Sequence, residues 1–167
     1  MYLNIPIYYN KEEKPKFVGL MTGAVAGLAT ITPAAGLVSL HVAALMGIVG
    51  AIVCYFAVHI KNRMKWDDAL DVWGVHGIGG VTGTILLGVF ASTAINPAGS
   101  NGLLYGGTAF FIKELVVVAG ASIYAFIFTY IMLMLINAIT PVKVSDAEEL
   151  AGLDISMHGE CTYDAIH

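Results

Sequence analysis

Four stretches of this chain, 17–36, 40–60, 69–91 and 115–136, carry almost no charge, and each is long enough to cross a bilayer. A hydrocarbon core of ~30 Å needs roughly 20 helical residues. Inside it every backbone amide and carbonyl must find a partner within the protein. Those conditions favour an all-α fold class, a polytopic membrane helical bundle. Composition agrees: 57% of residues are apolar and 12% charged, with mean hydropathy +0.78, far from an average soluble domain. We read 1–16 as an N-terminal segment, 17–138 as the transmembrane domain and 139–167 as a C-terminal tail. The helices are expected at about 17–36, 40–60, 69–91 and 103–138, with 103–114 leading into the fourth.

The basic residues orient the bundle. Lys11, Lys14 and Lys16 precede the first span, Lys61, Arg63 and Lys65 follow the second, and Lys143 follows the fourth, leaving only Lys113 on the opposite side. The positive-inside rule then puts both termini and the 61–68 loop in the cytoplasm and turns 37–39 and 92–114 outward. The opening MYLNIPIYYN has neither a basic n-region nor a long apolar run, so we do not read it as a processed leader. Its tyrosines Tyr2, Tyr8 and Tyr9 suit the headgroup level. Cys54 and Cys161 show no metal or redox spacing. The net charge of −4 argues against a nucleic-acid partner. No nucleophile elbow, P-loop, dinucleotide fingerprint or paired-carboxylate site is present, so the chain is not read as an enzyme.

The spans differ in character. Gly19, Gly23 and Gly27 form a doubled G-x-x-x-G in the first, suited to close helix packing. Pro33 and Gly36 break its outer end, where Thr30 and Thr32 can reoccupy freed carbonyls. In the second span His41 and His59 lie at the ends as interfacial anchors, and Gly47 and Gly50 suggest close packing. Lys113 and Glu114 fall near the outer interface and, being adjacent, do not face each other on a helix. Pro141 ends the fourth helix, and DAEEL opens the acidic tail.

The third span holds the polar residues. Asp68, Val72 and His76 are spaced i, i+4, i+8 and share a helix face, which Gly79, Gly80 and Gly83 are expected to continue. A helix starting near Asp68 puts His76 about 12 Å in, near the middle of the core. Asp67 and Asp68 suit a helix N-terminus, where carboxylates accept from free amides. Asp71 lies on another face and needs a partner that sequence does not identify. For His76 two readings stand: a core histidine bonded to a neighbouring helix, or a residue lining a pathway, the default for an ionisable group at membrane depth.

The stretch DDALDVWGVHGIGGVTGTILLGVFA resembles the conserved segment of the ammonium transporter family (Amt/MEP/Rh). GLMTGAVAGLATITPAAGLV is similar to that family's G-x-V-A-G-L-V-A-I-T-P-A-A-G-F-V helix, and GLDISMHGECTY to its tail, G-L-D-x-x-x-H-G-E-x-x-Y. The resemblance implies an eleven-helix, trimeric bundle with an inverted repeat, each protomer carrying a narrow hydrophobic pore for ammonium or ammonia. This chain then holds the equivalents of helices eight to eleven and the tail.

On that alignment His76 takes the place of the second histidine of the family's midplane pair and Val72 a pore-wall position. Asp68 and Asp71 fall on acidic positions that support the helix. The tail residues Gly152, Leu153, Asp154, His158, Gly159 and Glu160 fall in a region tied to regulation, including docking of PII-type signalling proteins. His158 and Glu160 offer two potential metal ligands without a third, so no metal or cofactor is expected. The first pore histidine, the phenylalanine gate and the outer recruitment site belong to helices one to seven, outside these motifs. The expected function is ammonium transport in the cell membrane by a partial chain that does not conduct alone. The alternative is a membrane-embedded interaction module acting through its tail.

Overall fold

The computed structural model describes residues 17–161. The N-terminal segment with its tyrosines and Lys11, Lys14 and Lys16 lies outside the described residues, as does 162–167. In chain order the elements are α1 (Phe17–Ile31), a 3-10 turn (Thr32–Ala34) and α2 (Leu40–Met64). A π-turn (Trp73–Gly77) then runs into α3 (Ile78–Phe90). After a 3-10 turn (Leu103–Tyr105) come α4 (Thr108–Ile139), α5 (Asp146–Ala151) and a second π-turn (Asp154–His158). Among the described residues there is no strand, and four helical segments are long and apolar enough to cross a membrane: Phe17–Ala34, Leu40–Met64, Trp73–Phe90 and Thr108–Ile139. The chain divides into two units, one to Ala121 and one from Ser122, the boundary falling inside α4.

The first unit is built on small residues at the crossings of α1, α2 and α3. Thr30 is fully buried at the junction. A Cβ at Gly50 would lie 2.1 Å from its Oγ1, and one at Gly83 2.0 Å from its carbonyl oxygen. Only glycine permits both approaches, the packing device expected where lipid supplies no hydrophobic drive between helices. Gly27 meets the backbone of Gly47, while Gly19 and Gly23 line a cavity of about 190 Å³ between helices. Gly27 of the expected trio makes a close approach to a backbone. Towards the Pro33 end of α1, Ala34, Val38, Met46, Leu87 and Ala91 form a core that Phe110 of α4 covers.

Several boundaries differ from expectation, each for a local reason. Helix α2 continues past 60 to Met64 because Lys61, Asn62, Arg63 and Met64 tolerate helix well and the basic pair suits its last turn. It ends at Lys65, φ +56°, with the Trp66 N–H donating to the Lys61 carbonyl in a six-to-one closing bond. The third helix starts at Val72 rather than 69, after a turn. The fourth starts at Thr108 because Gly106, φ +82°, separates it from the 3-10 turn. The hydroxyls of Thr30 and Thr32 donate to Ala26 and Leu28, 2.9 and 2.7 Å away. They do not reach Ala29, whose usual donor Pro33 lacks.

In the second unit the described part of α4 is exposed throughout and rich in aromatic and aliphatic side chains, with Tyr124 stacked on Phe128 and Phe126 on Tyr130. Past Pro141 the chain re-forms helix at Ser145, whose side chain and Glu148 make a reciprocal capping box.

Candidate functional site

Polar side chains gather at the junction between α2 and the π-turn. Lys61, in the last turns of α2, is 5% exposed and points inward rather than standing in a cytoplasmic loop. Its ammonium lies 2.7 Å from Asp71 Oδ1 and also donates to the Asp68 main-chain carbonyl. Lys61 is therefore the partner of Asp71 that sequence reasoning missed. The available signal was a carboxylate at a helix start, ten residues after a lysine near the end of the preceding helix. Lys61 is buried and Asp71 is partly exposed, so losing Asp71 leaves a buried charge without compensation, the costlier of the two losses.

Asp68 faces the other way. Its Oδ1 accepts from the Val72 N–H and its Oδ2 from the Trp73 N–H, both at 2.9 Å. A single carboxylate thus satisfies two of the amides a helix start leaves without partners. Asp71 has φ +56°, its N–H donates to the Asp68 carbonyl, and its own carbonyl accepts from Val75 at 2.8 Å. Trp66 and Trp73 meet edge to face across the turn, with ring centroids 5.0 Å apart.

Beyond the turn the helix is two-sided. Gly74 and Val75 are buried against α2: a Cβ at Gly74 would come 2.7 Å from Val58 Cγ2, and Cys54 Sγ lies 3.7 Å from the Val75 carbonyl oxygen. Gly79 and Gly83 continue that packed side onto Thr30. Val72 and His76 lie on the exposed side, with open space at Gly80 one turn on. Two expectations need correction. Gly79 and Gly83 do not share the face of His76, and Asp68 is not on the helix at all. The helix opens in a π-turn, where the Ile78 N–H reaches back to the Trp73 carbonyl, five residues away. With Val72 as the first helical residue, His76 lies roughly 6 Å along the helix rather than about 12 Å.

His59 of α2 stacks on Tyr55, centroids 6.4 Å apart, and is exposed, as is His41. In the tail the six candidate residues come together in one turn. Gly152 (φ +94°) and Gly159 (φ +67°) bracket it, and the Glu160 N–H donates to the Asp154 carbonyl at 3.1 Å. Leu153 is half-exposed, and His158 ends the π-turn. Ser156 Oγ donates to Gly152 and Glu148 carbonyls, tying this turn to α5. The Ser145 hydroxyl and N–H both donate to the Glu148 carboxylate and hold its carboxyl below the ordinary range.

A model of the Ammonium Transporter Family matches residues 1–163. The chain is 44% identical over 155 residues to a putative ammonium transporter of Methanothermobacter thermautotrophicus, covering 92% of this chain and 38% of that protein. It is 41% identical over 152 residues to an ammonium transporter of Bacillus subtilis, covering 90% of this chain and 38% of that one. The crystal structure of Saccharomyces cerevisiae Mep2 superposes with a TM-score of 0.78 at 32% identity, over 86% of this chain and 34% of that one. The chain thus spans little more than a third of the length of these relatives. With four spans of membrane length, it is an integral membrane protein, and it belongs to the ammonium transporter family.

Proposed function

We propose that this chain supplies the His76-bearing wall of a pathway for ammonium or ammonia, which further helices complete. The observation that carries this reading is the two-sidedness of the third helix. One side is packed on α1 and α2, with Gly74, Gly79 and Gly83 at its closest approaches, while the other leaves Val72 and His76 exposed. An ionisable side chain inside a segment of spanning length, on its unpacked side, is by default a candidate for a conduction role. Ammonium is close to potassium in size, but it donates hydrogen bonds in fixed directions and can give up a proton. An imidazole in an apolar wall uses both differences, accepting a bond or relaying a proton where a bare cation finds no replacement for its water. In this reading the exposure of His76 is what further helices would cover in closing the pore.

In this reading the complete assembly is a trimer in the cell membrane with the tail, and the N-terminal segment before α1, in the cytoplasm. The ordered turn from Gly152 to Glu160 supports a second role, as a surface on which a PII-type regulator docks. Methylammonium uptake tests the main reading, in cells without their own ammonium transporters. The chain is expressed alone, or together with a polypeptide supplying the family's preceding helices, each with His76→Ala as control. Uptake in the completed assembly that His76→Ala changes supports the pathway. Uptake that ignores His76 overturns it.

A further inference from the structure

We propose that Lys61 is a positioning residue for His76. By clamping the 68–71 turn, its buried ammonium sets the point at which the third helix starts, and so the side on which Val72 and His76 emerge. The link to conduction rests on the pathway reading above; the positioning itself does not.

Four observations carry this. Lys61 is buried while Arg63 and Lys65, its neighbours in sequence, are exposed, so its charge is held where burial is costly unless fully paired. Both of its partners, the Asp71 carboxylate and the Asp68 carbonyl, belong to the turn rather than to its own helix. The Asp68 carboxylate is occupied by the Val72 and Trp73 amides. The turn is therefore gripped by α2 through its main chain and by the third helix through its side chain. Asp71 sits at φ +56°, a left-handed conformation that aspartate adopts more readily than most residues and that turns its carboxylate to Lys61.

A cation at the N-terminus of the third helix opposes that helix's macrodipole, so its contact with this turn does not serve that dipole. What it secures is register. A slip of one residue at the helix start would rotate all that follows by about 100° and carry His76 off the open side. No other element of the first unit makes a charged contact with this turn among the described residues.

The test uses this chain in lipid nanodiscs as the parent, Lys61→Arg, Lys61→Met and Lys61→Met/Asp71→Asn. Three properties are read: amide exchange over 72–78, the 15N signals of the His76 ring assigned through His76→Gln, and intrinsic fluorescence. Fluorescence reports on the junction because Trp66 and Trp73, the two tryptophans, meet across it. Lys61→Met is expected to speed exchange over 72–78 about tenfold or more, to shift the His76 ring signals, and to leave the middle of α2 within about twofold of the parent. Lys61→Arg should stay close to the parent.

The double variant separates positioning from mere charge compensation. It should fold as the parent does, yet keep fast exchange over 72–78 and a displaced His76 signal, because the clamp is gone. If it matches the parent at both, Lys61 only neutralises Asp71 and the proposal fails. It also fails if Lys61→Met loosens α1, α2 and α3 equally. Should Lys61→Met not fold, the arginine and double variants decide by the same criteria. Uptake indifferent to His76→Ala would sink the pathway reading and leave the positioning result standing.

Discussion

Thr30 and Gly50 are in direct backbone-to-side-chain contact: a Cβ at Gly50 would lie 2.1 Å from the Thr30 hydroxyl oxygen and 2.5 Å from its Cβ. The crossing of α1 and α2 therefore has no room for a methyl group. Gly83 of α3 reaches the same residue from the other side. We expect Gly50→Ala and Gly83→Ala each to destabilise the first unit by about 1–3 kcal/mol through overpacking. Gly80→Ala, where nothing lies within 4 Å, should be neutral or slightly stabilising, since alanine is the better helix former. Cys54, 1% exposed in this packing, provides the assay. In a Cys161→Ser background its alkylation reports opening of the unit, and it should run about 5- to 150-fold faster in the first two variants.

Asp68 accepts from two amides, so its loss leaves both without their present acceptor. Asp68→Ala should cost about 1–2 kcal/mol, with Asp68→Asn between it and the parent because one acceptor oxygen remains. The change should show first as faster exchange at Val72 and Trp73. Equal exchange in alanine and parent would mean that the cap contributes nothing.

The spans were legible because lipid imposes a length on apolar helices; their ends were not, because polarity is a poor guide to where a helix stops. Lys61 and Arg63 look like loop residues in sequence, yet both lie in α2. The pairing of Lys61 with Asp71 depends on a turn held by Lys65 and Asp71 at positive φ, a conformation no pattern of residue types announces for those two. The shared side of Val72 and His76 followed from their spacing. The side of Gly79 and Gly83 did not: the helix opens in a π-turn, and Asp68, the first residue of the expected face, lies before it. What sequence conveyed best was the number and length of the spans. What it conveyed least was how the segment between two helices holds them.

The tail offers a pH test. The Glu148 carboxyl titrates below its ordinary value of 4.5, first through the Ser145 hydroxyl and then through its N–H. Because the folded value is depressed, the capping box contributes fully above about pH 4.5 and is lost as pH falls through the lower, folded value. Ser145→Ala should return the 13C titration of the Glu148 carboxyl towards 4.5 and speed exchange in α5 at neutral pH. An unchanged titration would mean that the capping box is not formed in solution.

His76 permits the sharpest separation of stability from function. Its side chain is exposed while its neighbours Gly74 and Val75 are buried against α2. Truncating it should therefore change the stability of the first unit by no more than about 0.5 kcal/mol, and Cys54 alkylation should be indistinguishable from the parent. Val75→Ala, three per cent exposed in the parent, should by contrast open the unit by about 1–3 kcal/mol through the cavity it leaves. If uptake in the completed assembly falls or changes its selectivity in His76→Ala while alkylation does not, the imidazole acts on the permeant. A parallel loss of both would make it a packing residue, contrary to the open side on which it lies.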